Sequence, residues 1–555
     1  MTDTSNEHSS EPWWRGGVIY QIYPRSFMDS DSNGIGDLKG IINQLNYISS
    51  LGVDAIWVSP FFKSPMKDFG YDISDYRQVD PMFGSNNDFK TLISSAHKLN
   101  LKVIIDQVPS HTSDQHPWFQ ESKKSRQNPK SNWYVWADAG PDGQPPNNWL
   151  SIFGGSAWQW SQKRCQYYFH NFLTSQPDLN YHCDSVRAQI LDEIEFWLKL
   201  GVDGVRLDAI NYCYHDASLR NNPEKPLDER IGRGFSSNNP YAAQYHYHDN
   251  TQPENLNFLE EVRALFNRYP GTVALGEINS EDSMSTLAEY TTAGTRLHMG
   301  YSFELLSHEF SAKHIKNTVE KFEAKKSDGW PCWAFSNHDV VRAVSRWGTR
   351  LTSREARVAF AKLLIALLGT LRGTICTYQG EELGLCEAVI EKHQLHDPFG
   401  IEFWPEFKGR DGCRTPMPWS DKASGAGFSK VEPWLPIPAE HLLNSVELQQ
   451  NDPNSVLCFF KTFHRWRTNQ PQIKSGSISF PASNGSDCVL IIRRTVDSKS
   501  ISGYFNLGSH PETFDVLAGE LWINDAPKQL GNLMLNENTL CLESNGFAYS
   551  QTIDS

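Results

Sequence analysis

Short, nearly continuous apolar runs alternate along the chain with stretches whose apolar residues recur at helical spacing. VIYQIYPRSF (18–27), AIWVSPFF (55–62) and KVIIDQVPSH (102–111) read as strands. Between them, 38–51 places Leu38, Ile41, Ile42, Leu45 and Ile48 on one helical face, and 87–100 predicts a second helix. Strands apolar on both faces, each followed by a helix, predict a parallel sheet covered by helices.

The alternation stops over 112–177, a stretch rich in Trp, Pro, Asn and Gly with no helical period. A stretch so long and irregular inside a compact domain is usually functional. It reads as a subdomain inserted after the third strand.

The alternation then resumes. A helix over 185–200 carries the stripe Ile190, Leu191, Ile194, Trp197 and Leu198, and the strand GVRLDAI (204–210) follows. Next come a helix over 258–268, the strand TVALGEI (272–278), a helix near 284–290 and the strand TRLHMGYSFELL (295–306). A helix over 312–325 leads to CWAFSNHD (332–339), then a helix over 354–368 and the strand GTICTYQGEEL (373–383). Thr352 with Glu355 three residues later predicts a capping box at the start of that last helix. Eight strand–helix units are the number that closes a (β/α)8 TIM barrel.

Residues 384–436 form another irregular excursion. From about 477 the pattern becomes short alternating runs (CVLIIRRTV, SISGYFNL, ETFDVL, LWIND) with Asn–Gly turns at Asn484 and Asn545. The fold class expected is therefore α/β: a (β/α)8 barrel with an inserted subdomain after strand 3 and a C-terminal antiparallel β-sandwich. The expected boundaries are a disordered 1–12, a barrel over 13–110 and 178–476, the insertion over 111–177, and the β domain over 477–555.

Three of the strands end in acids, Asp208, Glu277 and Asp339, about 60 to 70 residues apart. A buried strand carries a carboxylate only where an ion or substrate meets it, and barrel strands present their C-terminal tips to the chemistry. Cleaving an acetal between sugars needs two carboxyl groups in different protonation states. Arg206, two residues before Asp208, is expected to keep that acid ionised. Glu277, preceded by apolar residues and followed by Ile278, is expected to have a raised pKa suited to an acid.

Composition narrows the partners. A formal charge of −14 argues against nucleic acid and anionic membranes. Eighteen Trp within 12 % aromatic residues could serve sugar platforms, although core packing explains most of them. The polar start MTDTSNEHSSEP has no apolar core of a secretory signal. The ten cysteines show no regular spacing, so free thiols and a cytoplasmic location are expected. HExxH, GxSxG and Walker patterns are absent, and no organic cofactor is expected. The histidines of YHYHD (245–249) read as a solvated loop rather than a metal site.

DQVPSH (106–111), GVRLDAI (204–210), GEI (276–278) and FSNHD (335–339) resemble the four signature regions of the α-amylase family, glycoside hydrolase family 13. QPDLN (176–180) resembles the further region of its oligo-1,6-glucosidase and α-glucosidase members. The likeness runs from Trp13 into the C-terminal β domain.

The resemblance implies a retaining, exo-acting α-glucosidase taking terminal units from short oligosaccharides. In it Asp208 is the nucleophile, Glu277 the general acid/base, and Asp339 the acid that stabilises the distorted sugar. His111, Arg206 and His338 would bind the first glucose, with Tyr71 as a stacking platform. Asp72 and Arg414 would hold the far side of that glucose and close the pocket. Phe153, Phe172 and Phe303 are aromatic walls or core, both readings being open.

DSDSNGIGD (29–37) resembles the family's structural ion loop, with Asp29, Asp31, Asn33, Ile35 and Asp37 as ligands of Ca²⁺ or Mg²⁺. The plainer reading is an Asx-rich turn capping the first helix. Ala209 follows the nucleophile where α-1,6 enzymes often carry Val and many α-1,4 enzymes Thr. Maltose-type α-1,4 substrates are favoured; α-1,6-specific and sucrose-active glucosyl-transferring or isomerising relatives are the alternatives, and a non-catalytic sugar-binding relative the remote one. The arginine-rich stretch that sucrose isomerases carry before the FSNHD strand is absent from 304–330. Monomer and dimer are both left open.

Overall fold

In the computed structural model the described residues are 11–230, 235, 238–292, 294–325, 328–482, 486–523, 525–529 and 539–552. Most of the terminus expected to be disordered and the turn at Asn484 lie outside them.

Eight parallel strands form one sheet: Val18–Ile22, Ala55–Val58, Lys102–Gln107, Gly204–Leu207, Val273–Ile278, Met299–Ser302, Cys332–Trp333 and Thr374–Tyr378. Each lies beside its neighbours in sequence, the first pairs with the eighth, and a parallel bridge from Gly300 to Pro331 joins the sixth to the seventh. The sheet is thus closed, as the eight repeats predict.

Because strand side chains alternate, each strand feeds two cores. Val18, Tyr20, Ile56, Val58, Val103, Ile105, Val205 and Leu207 pack outward against the helices. Ile19, Ala55, Trp57, Ile104, Val273, Leu275, Met299 and Cys376 fill the interior. Residues one step further along the inward series, Asp106, Asp208 and Glu277, are polar and stand at the strand tips.

The helices run Asn86–Lys98, Asp184–Leu200, Asn255–Asn267, Ser283–Tyr290, Ala312–Glu323 and Arg354–Thr370. Two details differ from expectation. The helix over 38–51 is two, Leu38–Asn43 and Leu45–Ser50, broken at Gln44 (φ −105°, ψ 6°). The last long helix is capped by Ser353, not Thr352: it starts at Arg354, and the Ser353 hydroxyl is the group that accepts from the Ala356 N–H.

The stretch after strand 3 is a small β unit. Trp136–Ala137, Gln166–Phe169 and Trp158–Ser161 form an antiparallel sheet over the fully buried Trp149. Asp178 of QPDLN bridges back to His111, tying this unit to the strand 3 tip.

At the C-terminus, Ser477–Ser479, Val489–Val496, Lys499–Asn506, Phe547–Thr552 and Glu520–Trp522 form a five-stranded sheet with antiparallel pairing. Its Val489, Ile491, Tyr504 and Ala548 pack against Leu540 and Leu542 of the two-stranded sheet Glu512–Asp515/Thr539–Leu542, which makes the sandwich core. Its other face sets Phe547 and Tyr549 against Phe459 and Phe463 of the helix Val456–Thr468. No helix of the described residues is long and apolar enough to cross a membrane.

Candidate active site

Strand register brings the charges together. Arg206 pairs in register with Asp106 on strand 3, and Glu277 pairs with Tyr301 on strand 6. The Arg206 guanidinium, fully buried, meets Asp106 at 2.8 Å, Asp208 at 2.5 Å and Glu277 at 2.5 Å. The Tyr301 hydroxyl accepts from Arg206 at 2.8 Å and donates to Glu277 Oε1 at 2.8 Å. The other Glu277 oxygen accepts from the Ala209 N–H at 3.0 Å. To aim that N–H at Glu277, Ala209 adopts a left-handed conformation (φ 43°, ψ 43°), which a non-glycine residue holds only under tertiary constraint.

The surroundings of Glu277 are therefore not the apolar pocket its sequence neighbours imply. Its partners come from strands 4 and 6, which sequence adjacency does not show. Asp208 also differs from expectation. Burial raises its pKa well above the usual carboxylate range, with Glu277, Asp106 and Asp339 pushing the same way and Arg206 opposing. Asp106 is pushed up to about 6 by burial, again against Arg206. Three carboxylates share one guanidinium, so the cluster would carry two uncompensated charges if fully ionised. Retaining a proton is the inexpensive way to relieve this.

Asp339 is the contrast. Burial opposes its ionisation, but the charges of Arg410 and Arg414 hold it well below the usual range. Its Oδ1 accepts from Arg414 at 2.9 Å and Arg410 at 3.2 Å. His338 is pushed down to about 3 by burial and is neutral, taking Gln21 Nε2 at Nδ1 (2.7 Å).

Asp208, Glu277 and Asp339 open onto one cavity of about 730 Å³, counted with its mouth. Tyr71, His111, Phe153, Phe172, Ala209 and Phe303 also line it, so for the three phenylalanines the wall reading fits the geometry. Arg206 and His338 lie just behind the wall, His338 stacked on Tyr71 at 5.3 Å. On the Asp339 side the wall is an ion pair between Arg410 Nη2 and Asp68 Oδ1 at 2.8 Å. At the other end, Tyr212, Phe235 and Asn279 lead into a wider groove lined by Lys225, Tyr245, Tyr247 and Glu281.

That ion pair corrects the expectation for Asp72 and Arg414. Asp72 turns away from the cavity, accepting from Ser64 Oγ and from the N–H groups of Lys67 and Asp68, which make it the brace of the turn that presents Asp68. Arg414 spends its Nε on the His338 carbonyl and its Nη2 on Asp339 behind the wall. KDFGYD and GRDGCR each offer two residues of the right type, and only backbone geometry chooses between them. Gln176 of QPDLN completes the wall, donating to Asp68 Oδ2 at 3.0 Å. Asp106, Tyr301 and Phe399, with Tyr212, Phe235 and Asn279, are further site residues that sequence reasoning passed over. Asp106 lay within DQVPSH, whereas Tyr301 and Phe399 carry no local signal.

The model of the α-amylase catalytic domain matches residues 21–476. The chain belongs to the α-amylase family. It is 51 % identical over 518 residues to a probable α-glucosidase of Rhizobium meliloti, covering 92 % of this chain and 93 % of that protein. It is 36 % identical to an oligo-1,6-glucosidase of Heyndrickxia coagulans, over 82 % of this chain and 85 % of that one. The crystal structure of an α-glucosyl transfer enzyme, XgtA, superposes with a TM-score of 0.95 at 57 % identity, covering 98 % of this chain and 100 % of the other. The protein is accordingly a glycoside hydrolase of the α-glucosidase class, and its family works with retention.

In this family member the loop 29–37 is the one grouping of three or more acids, histidines or cysteines at metal-binding distance among the described residues. Asp29, Asp31 and Asp37 offer oxygens within 4.8 Å of one another. Asp37 also caps the first helix through the Gly40 N–H, and Asp29 accepts from the Gly34 N–H and Ser429 Oγ. The loop thereby pins the segment after strand 8. The YHYHD segment is not solvated as expected: His246 is buried with Nδ1 2.6 Å from buried Asp249, because the loop folds under Tyr241.

Proposed function

We propose that the protein removes terminal α-linked glucose from short oligosaccharides, with Asp208 as nucleophile, Glu277 as acid/base and Asp339 as the acid that grips the distorted sugar. The observation that carries this reading is the Asp68–Arg410 wall beside Asp339. A chain cannot run through that end of the cavity, so a terminal glucose seats against the wall and the leaving group points to the Tyr212–Phe235 groove. Oxygens each 2.5 Å from the arms of one rigid guanidinium fork are no more than ~7 Å apart, which accommodates the ~5–5.5 Å of a retaining pair.

The steps follow from the positions. Asp208 attacks the anomeric carbon while the glycosidic oxygen leaves with a proton from Glu277, giving a glucosyl ester. Water, or the hydroxyl of an acceptor in the groove, then gives its proton to Glu277 as its oxygen displaces Asp208. Arg206 fixes both carboxylates throughout, and Asp339 and His111 face the sugar from the cavity wall. Transfer to an acceptor sugar is supported by the likeness to a glucosyl transfer enzyme. The small Ala209 beside Asp208 leaves room for α-1,4-linked leaving groups, and maltose is the favoured substrate over isomaltose and sucrose.

Glucose release from maltose, isomaltose, sucrose and starch is the test. The disaccharides are expected to react far faster than starch, with the α-anomer appearing first. Rapid internal cleavage of starch would overturn the exo reading.

A structural Ca²⁺ or Mg²⁺ held by Asp29, Asp31 and Asp37, with the Asn33 side chain and Ile35 carbonyl, is part of the proposal. The donor set fits. The three carboxylates crowd hard oxygens within 4.8 Å of one another, a clustering that a divalent cation relieves. The ion would supply charge neutralisation and hold the loop to Ser429. Treatment with a chelator is expected to lower Tm by a few degrees and Ca²⁺ or Mg²⁺ to restore it; an unchanged Tm would reject the ion. The ten free thiols, five of them buried, fit a reducing cytoplasm.

A further inference from the structure

Arg410 touches three carboxylates, but only two of them, Asp68 and Asp339, open onto the cavity. The third, Asp397, is fully buried and makes the most bonds. Its Oδ1 takes Arg410 Nη2 at 2.7 Å, its Oδ2 takes Arg410 Nε at 3.1 Å, and the same Oδ2 accepts the Arg410 backbone N–H at 2.7 Å. Side chain and backbone of one arginine are thus gripped by one carboxylate. Asp411 secures Asp397 in turn, accepting the N–H groups of His396 at 2.6 Å and Asp397 at 2.9 Å.

The contact is built into the backbone. Gly409 has φ +77°, and a Cβ there would fall 2.7 Å from Asp397 Oδ2 and 2.7 Å from the Gly400 Cα. Only a chain with glycine at this point lets the two segments approach closely enough for the grip. Asp397 also caps the short helix Pro398–Glu402 through the Phe399 N–H, and Phe399 packs on Phe153 of the cavity wall at 4.9 Å.

A free arginine has many rotamers to lose on being fixed. Without an inner anchor, Arg410 would follow whichever of Asp68 and Asp339 attracts it more, and those two must turn oxygens to the sugar. We propose that Asp397 is a positioning residue for the glucose-gripping wall, holding Arg410 from behind so that Asp68 and Asp339 stay correctly spaced for a terminal hexose. It rests on the functional reading above, because the hexose is the ligand that the wall is taken to grip.

A double-mutant cycle tests it: Asp397→Asn, Arg410→Ala and the double variant, with kcat and KM on maltose, Ki for glucose, and Tm. Asp397→Asn is expected to lose ~10²-fold in kcat/KM, mostly through KM and with a parallel rise in the glucose Ki. In the Arg410→Ala background the same change should cost almost nothing further. Penalties that simply add would overturn the proposal, as would a wild-type KM and Ki in Asp397→Asn.

Asp397→Ser keeps a capping oxygen for Phe399 and drops the clamp. It covers the case in which Asp397→Asn fails to fold, and it should show the same KM loss; normal kinetics in it would assign Asp397 to capping alone. If Arg410→Ala itself leaves KM and Ki unchanged, it is the glucose-wall reading that has failed.

Discussion

Asp208→Asn is expected to retain the fold and to lose ~10⁴-fold or more of kcat/KM on maltose, since removing a nucleophile that works as one unit with its acid abolishes nearly all chemistry. The structure adds a second, less obvious expectation. The folded-state pKa of Asp208 is raised above its unfolded value, so the folded protein binds more protons there. Its stability therefore falls as pH rises from the unfolded pKa through the folded one. The ionised Asp208 costs stability at neutral pH, and an uncharged amide of the same shape removes that cost while Arg206 keeps Asp106 and Glu277. Tm of the variant at pH 7 is expected to equal or exceed that of the wild type, with the difference shrinking below about pH 4, near the ordinary Asp pKa. Thermal melts across pH with maltose kinetics check both halves. Turnover near wild type would remove Asp208 from the chemistry, and a markedly lower Tm would mean that Arg206 depends on it for packing.

Glu277→Gln is expected to lose ~10²–10⁴-fold on maltose, the usual worth of general acid–base catalysis. The loss should depend on the leaving group. A nitrophenyl glucoside departs without protonation, so formation of the glucosyl ester should be only mildly slowed, and its hydrolysis should then become the slow step. Equal losses on maltose and the nitrophenyl glucoside would assign the proton to another member of the Asp106–Asp208–Glu277 group.

Both expectations depend on a cluster that neither local pattern nor composition displays. The periodicity of apolar residues is a local property, and it was sufficient for the barrel. All eight strands and the long helices between them stand where the pattern puts them, because burying both faces of a parallel sheet demands near-continuous apolar runs. The one long helix that is two short ones has no Pro or Gly at Gln44, where it breaks, its Gly40 lying in the first turn. At Ser353 the choice between adjacent hydroxyl residues turned on where the helix starts, which sequence locates only to within a residue or two.

The chemistry was legible in a similar way. Asp208, Glu277 and Asp339 stand out as acids ending strands, and the structure brings all three to one cavity. Asp31 and Asn33 announce an oxygen-rich loop by their spacing alone. What the chain could not display was which neighbour each acid would meet. The expected ionisation of Asp208 and the expected apolar setting of Glu277 were both inferred from residues adjacent in sequence. In a barrel the neighbours that matter lie one or two strands away, 100 residues off for Asp106–Arg206 and 95 for Arg206–Tyr301.

The sequence by itself determined the elements, their order and the residue types at the strand tips, since these follow from local periodicity and from the cost of burying charge. Tertiary structure alone decided the pairing. It chose Asp68 over Asp72 and Arg410 over Arg414, placed Asp397 behind the wall, and gathered three carboxylates on one guanidinium. The physical reason is that charge interactions depend on distance through space and on burial, and both are set only when the barrel closes and loops far apart in the chain meet over its rim.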